Sequence, residues 1–579
     1  MAKKKEGINE DWLSFWLAIV ISIIAFLAFT GIDPLGWGIN TNVWTDPSKA
    51  LAPTGKAYMT VKGEITKIEG NKVTLKKADG KEEAISVKDT AGLTVGDKYE
   101  KKGLSGFTSL ILTYLFLMVV MGIGAGLLRA SIGKFVIGFT ILFWLSYLCW
   151  FLGSNAYIAA VDASKAGVPW SLKLTPEAGF IIALIAGLII GNFFEGFADF
   201  LKEAIRPELY IKTGIGLMGI LLGIKAATSF SLASAVLFRG LCAIIEAYLI
   251  YWAFVYLIAR KYFKFNREWA APLASGISIC GVSAAIATGG AIKARPMVPI
   301  MVSSLVVVFA VTELIILPFF AQTFLWKEPM VAGAWMGLAV KSDGAAFASG
   351  AVVDALIRAK AEATTGVKYE PGWMLMAAST TKLFIDIFIS IWAFILAIIW
   401  STKIEAKAGE KIQAAEIWAR FPKFVLPYAA GFIIMLLISF PAASKISAVE
   451  KDIKAVKKEV AALEKDLPTA APEAQPAIQE KINASKDKIN GLDAQIKEPK
   501  KTLAQGNTAA NGANAFRVMF FLLTFFAIGV VSNFKKLWEE GIGKLAVIYV
   551  VALFGFIIWV GLIISWIFFH GVMPPVITG

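Results

Sequence analysis

The segment SGISICGVSAAIATGGAIKARP, Ser275 to Pro296, lies between two long apolar runs and consists largely of Gly, Ser, Ala, Thr and one Cys. Each Gly inside a helix costs about 1 kcal/mol relative to Ala, so Gly276, Gly281, Gly289 and Gly290 weaken helical order here. Backbone that leaves a helix at membrane depth is tolerated only where it is buried in protein or lines a wet cavity. Such a break creates a fresh helix N-terminus with unpaired N–H groups and partial positive charge, which suits an anion. Ser278, Ser283 and Thr288 would add hydroxyl donors. The plainer reading of the same residues is close helix packing, which small-residue stripes also serve. A second segment, GAWMGLAVKSDGAAFASGAVVDA (Gly333 to Ala355), has the same texture with Lys341, Ser342 and Asp343 at its middle. Ionisable groups inside a span are costly and point to a pathway or site. Lys341 could attract an anion, with Asp343 setting its charge state; alternatively the segment is a loop at the interface where these charges meet water. The candidates for substrate contact are therefore Gly276, Ser278, Cys280, Gly281, Ser283, Lys341, Ser342 and Ser349.

Other charges fall within apolar runs: Glu195, Asp199, Lys225, Arg239, Glu246, Glu313, Lys382 and Asp386. Most lie near span ends, where long side chains reach the interface. Glu246 and Glu313 sit deepest and, with Asp343, are the candidates for coupling to a proton or cation. Lys382 and Asp386, four apart on one helix face, read as a pair with each other. The single His570 argues against a histidine metal site or proton relay. Cys149, Cys242 and Cys280 have no CxxC spacing and read as small buried hydrophobes. No metal or cofactor is expected. The sequence contains no GxxxxGK[ST], HExxH or nucleophile elbow, which favours a carrier over a pump or an enzyme.

The elements that must position these residues are membrane helices. The chain is 57% hydrophobic with a mean hydropathy of +0.66, above the usual range of soluble proteins. Its net charge of +14 reflects Lys and Arg flanking the spans and two Lys-rich inserts, not a nucleic-acid surface. Apolar runs at about 12–30, 107–129, 133–153, 179–200, 211–228, 232–259, 270–292, 297–320, 331–355, 372–400, 424–440, 515–532 and 546–569 give about 13 membrane segments. MAKKK followed by Trp12–Thr30 reads as an anchor helix rather than a cleavable signal. The basic clusters alternate consistently with a cytoplasmic N-terminus and an extracytoplasmic C-terminus in an inner (plasma) membrane. That parity requires an odd number of crossings between Arg267 and Tyr369. Three spans satisfy it; so does one span at 297–320 flanked by two re-entrant segments.

The expected organisation is an anchor helix over 1–30, an extracytoplasmic insert over 31–106 and added membrane helices over 107–178. A transporter core over 179–442 and 513–579 would be interrupted by a helical hairpin at 443–512. Within the first insert, about 56–103 alternates short β-favouring runs with EGN and ADG turns, predicting a small β domain. In the second, Ile446, Val449, Ile453, Val456, Val460, Leu463 and Leu467 step as a heptad seam. Ile478, Ile482, Ile489, Leu492 and Ile496 continue the pattern after a Pro-rich break, predicting an antiparallel coiled-coil hairpin. Such a hairpin is a passive spacer, or an arm for docking or for a homo-oligomer.

From about Gly179 onward, the hairpin excepted, the chain resembles the YeiH-type sulfate exporter family. GISICGVSAA (Gly276–Ala285) matches that family's GTSICGASAI-like stretch. GLIIGN (Gly187–Asn192) and GIGLMGILLGI (Gly214–Ile224) precede it, and FPKFVLPYAAGF (Phe421–Phe432) and AIGVVSNFKKL (Ala527–Leu537) follow in the right order. The family's HDTAQVVAAG-like stretch falls on KSDGAAFASG, with Lys341 at the His position, Ser342 at the Asp position and Ala345 at the Gln position. Its KLTR falls on Lys382–Ile385 and keeps only the start of the motif. Asn192 and Lys382 join the candidate site on this ground. The resemblance implies a five-plus-five inverted-repeat carrier with broken helices, moving sulfate, sulfite or a small sulfonate, and the departures suit a different anion or coupling. A sodium- or proton-coupled carrier of an organic acid, and a scaffold or receptor working through its outer inserts, are the rivals.

Overall fold

The computed structural model describes residues 8–577 except 71, 77–79, 81, 88–89, 91–92, 161–162, 173, 175, 177, 296, 405–421, 470–474 and 534–542. The basic stretches at the N-terminus, at 405–421 and at 534–542, which enter the orientation argument, lie outside the described residues. The side chain of Ser283 does too.

The protein is an all-α polytopic membrane protein, 76% helical, carrying a small sheet on one of its inserts. Among the described residues nine helices are long and apolar enough to cross a membrane, or ten if one sharply bent pair counts as a span. In chain order they begin with α1 (Glu10–Phe26), α2 (Gly106–Leu127) and α3 (Ile132–Gly153). The bent pair α4 (Ala178–Phe193) and α5 (Glu195–Leu201) comes next, turning by 115°, and then α6 (Pro207–Thr228) and the long α7 (Phe230–Tyr262).

Residues 39–101 hold the strands. β1 (Ile39–Thr41) pairs with β2 (Leu51–Pro53). β3 (Val61–Glu69), β4 (Lys72–Lys76), β5 (Glu82–Ser86) and β6 (Lys98–Lys101) form an antiparallel sheet of order β5-β4-β3-β6. Alternation puts Val61, Ile65, Val73, Leu75 and Ile85 on one buried face. Gly70 and Gly80 take positive φ at the two turns, a conformation that residues with a Cβ resist.

The middle of the chain is where expectation left two options open. Residues 267–291 fold back on themselves as α8 (Arg267–Ser278) and α9 (Gly281–Ala291). Thr288 on α9 donates to Ser275 on α8 at 2.7 Å, and Arg295 just past α9 pairs with Glu268 at the start of α8 at 3.0 Å. A broken span would hold residues 268 and 295 some 35–40 Å apart at 1.5 Å per residue. The segment is therefore a hairpin. α10 (Met297–Phe324) then runs from the mouth of this hairpin past its tip. A second hairpin follows, α11 (Pro329–Ala339) and α12 (Asp343–Thr365). Lys360 of α12 returns to the carbonyl of Gln322 at the far end of α10, so the two hairpins open on opposite faces. Between Arg267 and Tyr369 the chain thus runs once from one hairpin mouth to the other, along α10, with a hairpin on each side.

α13 (Trp373–Ile399) lies against α11 and α12. α14 (Val425–Asp466) runs without interruption from an apolar segment long enough to span into the polar hairpin, and α15 (Gln475–Gln495) returns. α16 (Lys497–Val531) leads back into the membrane, and α17 (Gly543–Phe569) closes the chain. The sequence pattern had put a boundary near 443, but Pro441 does not stop the helix. Val449, Ile453 and Ile496 meet at the hairpin base, and Val456, Val460 and Ile482 meet higher up.

Two helical groups result. In one, α6 is wrapped by α1, α14 and α16, with α4 crossing α16. A Cβ on Gly187 would strike the Phe526 carbonyl, and one on Gly219 the Tyr428 carbonyl, so these glycines set the close approach. The other group comprises α7, both hairpins, α10, α13 and α17. Gly344 at the second tip packs towards Ile211 and Ile528 of the first group.

Candidate functional site

The helix breaks fall at Ile279–Cys280 and at Val340–Ser342, and the two tips touch. Gly281 N–H donates to the carbonyl of Lys341 at 2.6 Å. A Cβ there would strike Val306 of α10, and one on Gly276 of α8 would meet Val302 in the same way. Small residues accordingly serve both readings of the sequence at once. They let the hairpins pack against α10, and they allow the helices to stop where the tips meet.

Lys382 of α13 holds the junction together. Its ammonium donates to the carbonyl of Ile279 at 2.7 Å and pairs with Asp343 at 3.5 Å, with both side chains buried. One cation therefore satisfies an orphan carbonyl at the end of α8 and a carboxylate in the first turn of α12. The close contact of Lys382 is thus with Asp343, while the expected partner Asp386 attracts it from farther off. Both oxygens of Asp386 are buried and lack a hydrogen-bond partner, as does one oxygen of Asp343. Cys280 Sγ, Asp343 and Asp386 offer ligand atoms within 4.8 Å of one another, the sole such trio of possible ligand side chains among the described residues. Ser278 and Ser349 are fully buried with unpartnered hydroxyls. Ser342 is the N-cap of α12, its oxygen accepting from Ala345 N–H at 3.1 Å.

Lys341 behaves differently from Lys382. Its side chain turns back to the carbonyl of Leu338 and lies over the ring of Tyr251, 4.3 Å from the centroid. Its backbone N–H donates to Glu313 Oε2 at 2.8 Å, and Tyr549 donates to the other oxygen of Glu313 at 2.6 Å. Tyr251 donates to Glu246, which opens a π-helical turn over Glu246–Tyr251. The wider i→i+5 turn brings residues five apart to one face and makes that contact possible. Glu246, Glu313 and Lys341 thus form a second buried network alongside the tips. Asn192 belongs to neither; its amide donates to the carbonyls of Leu188 and Ser532, tying α4 to the end of α16.

The pattern of small residues pointed to both tips, and the buried charges stood out in apolar runs. Tyr251 and Tyr549 carried no such signal, because a tyrosine in an apolar run is unremarkable by composition. Asp386 was visible, but its neighbour four residues away offered a sufficient local explanation.

Residues 154–463 match the family model described as conserved hypothetical protein 698. A UPF0324 membrane protein of Nitrosomonas europaea is 36% identical over 98% of this chain and 97% of its own length, so both polar inserts fall within the aligned region. An uncharacterized protein of Archaeoglobus fulgidus is 42% identical over 35% of this chain and 91% of its own length. A UPF0324 membrane protein of Rhodopirellula baltica is 30% identical over 58% of this chain and 54% of its own. No solved structure matches the chain. With half the chain under the family model and a relative aligned nearly end to end, the protein belongs to the UPF0324 family of membrane proteins.

Proposed function

We propose that the protein is a secondary active carrier of a small anion, of the sulfate, sulfite or small sulfonate class, and performs no bond chemistry. The observation that carries this reading is the meeting of two hairpins from opposite faces at a junction held by one buried lysine. α9 and α12 both begin there, so two helix N-termini and the Lys382 ammonium favour negative charge at one place. Carriers commonly bind substrate at such helix breaks near the midplane. Lys382, nine residues into α13, lies about 13 Å from that helix's start, near half the thickness of a bilayer core. Gly276, Ser278, Cys280, Gly281, Ser342 and Ser349 line or approach the breaks, and Lys341 adds charge nearby. Movement of the hairpin group against the α6–α14–α16 group would expose the junction to alternate faces. The opposed hairpins are also compatible with an inverted repeat, and the basic clusters with a cytoplasmic N-terminus in an inner membrane. A homo-oligomer built through the outer hairpin is part of the same reading.

A second reading is favoured by the charge balance. Glu246, Glu313, Asp343 and Asp386 are buried near Lys341 and Lys382, with a third lysine, Lys212, already paired to Asp11 and Glu208, and Asp386 has no hydrogen-bond partner for either oxygen. Such a surplus suits a carrier of an organic acid driven by protons or sodium.

The test is flux into proteoliposomes of sulfate, sulfite, methanesulfonate, bicarbonate and dicarboxylates, with and without sodium and proton gradients. Saturable flux of one oxyanion class, abolished in Lys382→Met, is the expected result. Flux of a dicarboxylate that requires a sodium gradient would select the second reading. Absence of any flux in protein that melts cooperatively would defeat both.

A further inference from the structure

About 16 Å along α12 from the tips, measured as the eleven residues from Asp343 to Asp354, the helices enclose a separate cavity of about 290 Å³. Its polar wall comes from three helices: Lys225 of α6, Asp354 and Arg358 of α12, and Asn511, Asn514 and Arg517 of α16. Three cations face one carboxylate, and that carboxylate is already engaged. Asp354 accepts from Gly372 N–H at 2.9 Å, Met374 N–H at 3.1 Å and Arg358 Nε at 2.9 Å. Glu370 is turned to the Trp373 ring nitrogen at 3.2 Å.

Lys225 is the exception. Its stem lies across Gly372, where φ is +92° and a Cβ would meet Lys225 Cε at 2.9 Å. Among the described residues its ammonium makes no hydrogen bond or close ion pair; Asp354 and Glu370 attract it only from farther off, and it lines the cavity. Arg517 is buried and held in place, with Nε donating to Asn514 Oδ1 at 2.8 Å and the guanidinium stacked on Phe521 at 4.9 Å. The rest of the wall is mainly apolar and includes Trp150, Phe180 and Met218. A few converging polar groups in an otherwise apolar concavity are the usual make-up of a small-molecule site.

We infer that this cavity binds an organic anion whose acidic head meets Lys225 and Arg517 and whose apolar body packs on Trp150 and Phe180. Inorganic sulfate fills only the polar half and should bind more weakly. The head could belong to a soluble sulfonate or carboxylate, or to an anionic phospholipid. The inference does not rest on the reading of the hairpin tips.

The experiment uses the full chain in nanodiscs of phosphatidylcholine, titrated with benzenesulfonate and followed by calorimetry and thermal shift. Saturable binding is expected, weakened roughly tenfold or more in Lys225→Met, the scale of one charge-assisted contact. Asn511→Leu, on the exposed side of α16, should weaken it less. Asp386→Asn, at the tips, should leave it unchanged. Loss of benzenesulfonate binding when phosphatidylglycerol is added would identify a lipid head as the occupant; no effect of that lipid would identify a soluble anion. Failure of both benzenesulfonate and phosphatidylglycerol to bind, or binding indifferent to Lys225→Met and Asn511→Leu, would overturn the inference.

Discussion

The two hairpins share an outline and differ in chemistry. The first tip, Ser278 to Gly281, brings hydroxyl, thiol and backbone groups but no charge. The second, Val340 to Asp343, brings an ammonium and a carboxylate and caps its own outgoing helix through Ser342. Their mouths differ in the opposite sense. The first is closed by an exposed ion pair, Glu268 with Arg295, and the second is anchored by the buried Asp354. The charged tip is thus the one with the firmer base. A charge held at membrane depth requires a fixed partner, because misplacing it by an ångström leaves it unpaired. A tip of neutral groups tolerates more movement. This asymmetry suggests that the first hairpin is the more mobile of the two.

The largest effect on that comparison should come from Lys382→Met, which removes a buried cation that contacts both tips. It leaves Asp343 without its ion pair and the Ile279 carbonyl without a donor. Breaking a buried pair from one side costs about 3–5 kcal/mol. The melting temperature in detergent should fall by several degrees and transport should be lost. Asp386→Asn, by contrast, removes a carboxylate that holds no hydrogen bond in the structure, and its stability should stay near that of the parent. If the two variants melt alike, Lys382 does not join the tips.

A smaller effect is expected from Gly281→Ala. Its Cβ would collide with a methyl of Val306, and overpacking of this kind costs about 1–3 kcal/mol. Removing the obstruction with Val306→Ala in the same chain should recover part of that loss, so the double variant should melt above Gly281→Ala alone. Non-additivity of this size is expected of residues in contact. Purely additive losses would mean that the first tip does not lean on α10.

Much of this was legible in residue order, and the reasons are specific. The apolar runs pointed to a polytopic all-α membrane protein because the bilayer sets helix length, and nine or ten of the described helices are long and apolar enough to span, fewer than the thirteen runs. Gly276 and Gly281 with Ser278, and Lys341 with Asp343, marked the two breaks because glycine and charge are both unfavourable inside a span. The parity of basic clusters reduced the centre of the chain to two arrangements, but hydropathy is blind to whether twelve apolar residues continue or turn back. The hairpin of α8 and α9 is decided by contacts such as Thr288 with Ser275, thirteen residues apart. The nearest partner of Lys382 escapes the sequence for the same reason. Asp386 sits one turn away in the chain, whereas Asp343 arrives from another element, and only packing brings it within 3.5 Å. The continuity of α14 through Pro441 was hidden because proline ordinarily interrupts a helix.

The smallest effect should come from the mouth of the first hairpin. Arg295 and Glu268 are joined by a 3.0 Å contact, but the arginine side chain is 61% exposed. Exposed pairs contribute about 0–1 kcal/mol, because water screens the attraction and two long side chains must be ordered. Glu268→Gln should therefore shift the melting temperature by no more than a degree or two, with even that difference vanishing in about 0.5 M salt, where the Debye length is only a few ångströms. Asp354→Asn, the corresponding change at the second mouth, should cost clearly more and be indifferent to salt, because its partners are two backbone amides and an arginine in a buried setting. Hydrogen exchange gives the finer measure. In Glu268→Gln, amides of α8 and α9 should exchange faster while those of α11 and α12 keep their parental rates. Equal acceleration in both hairpins would mean that they open as one unit, and the proposed difference in mobility between them would be wrong.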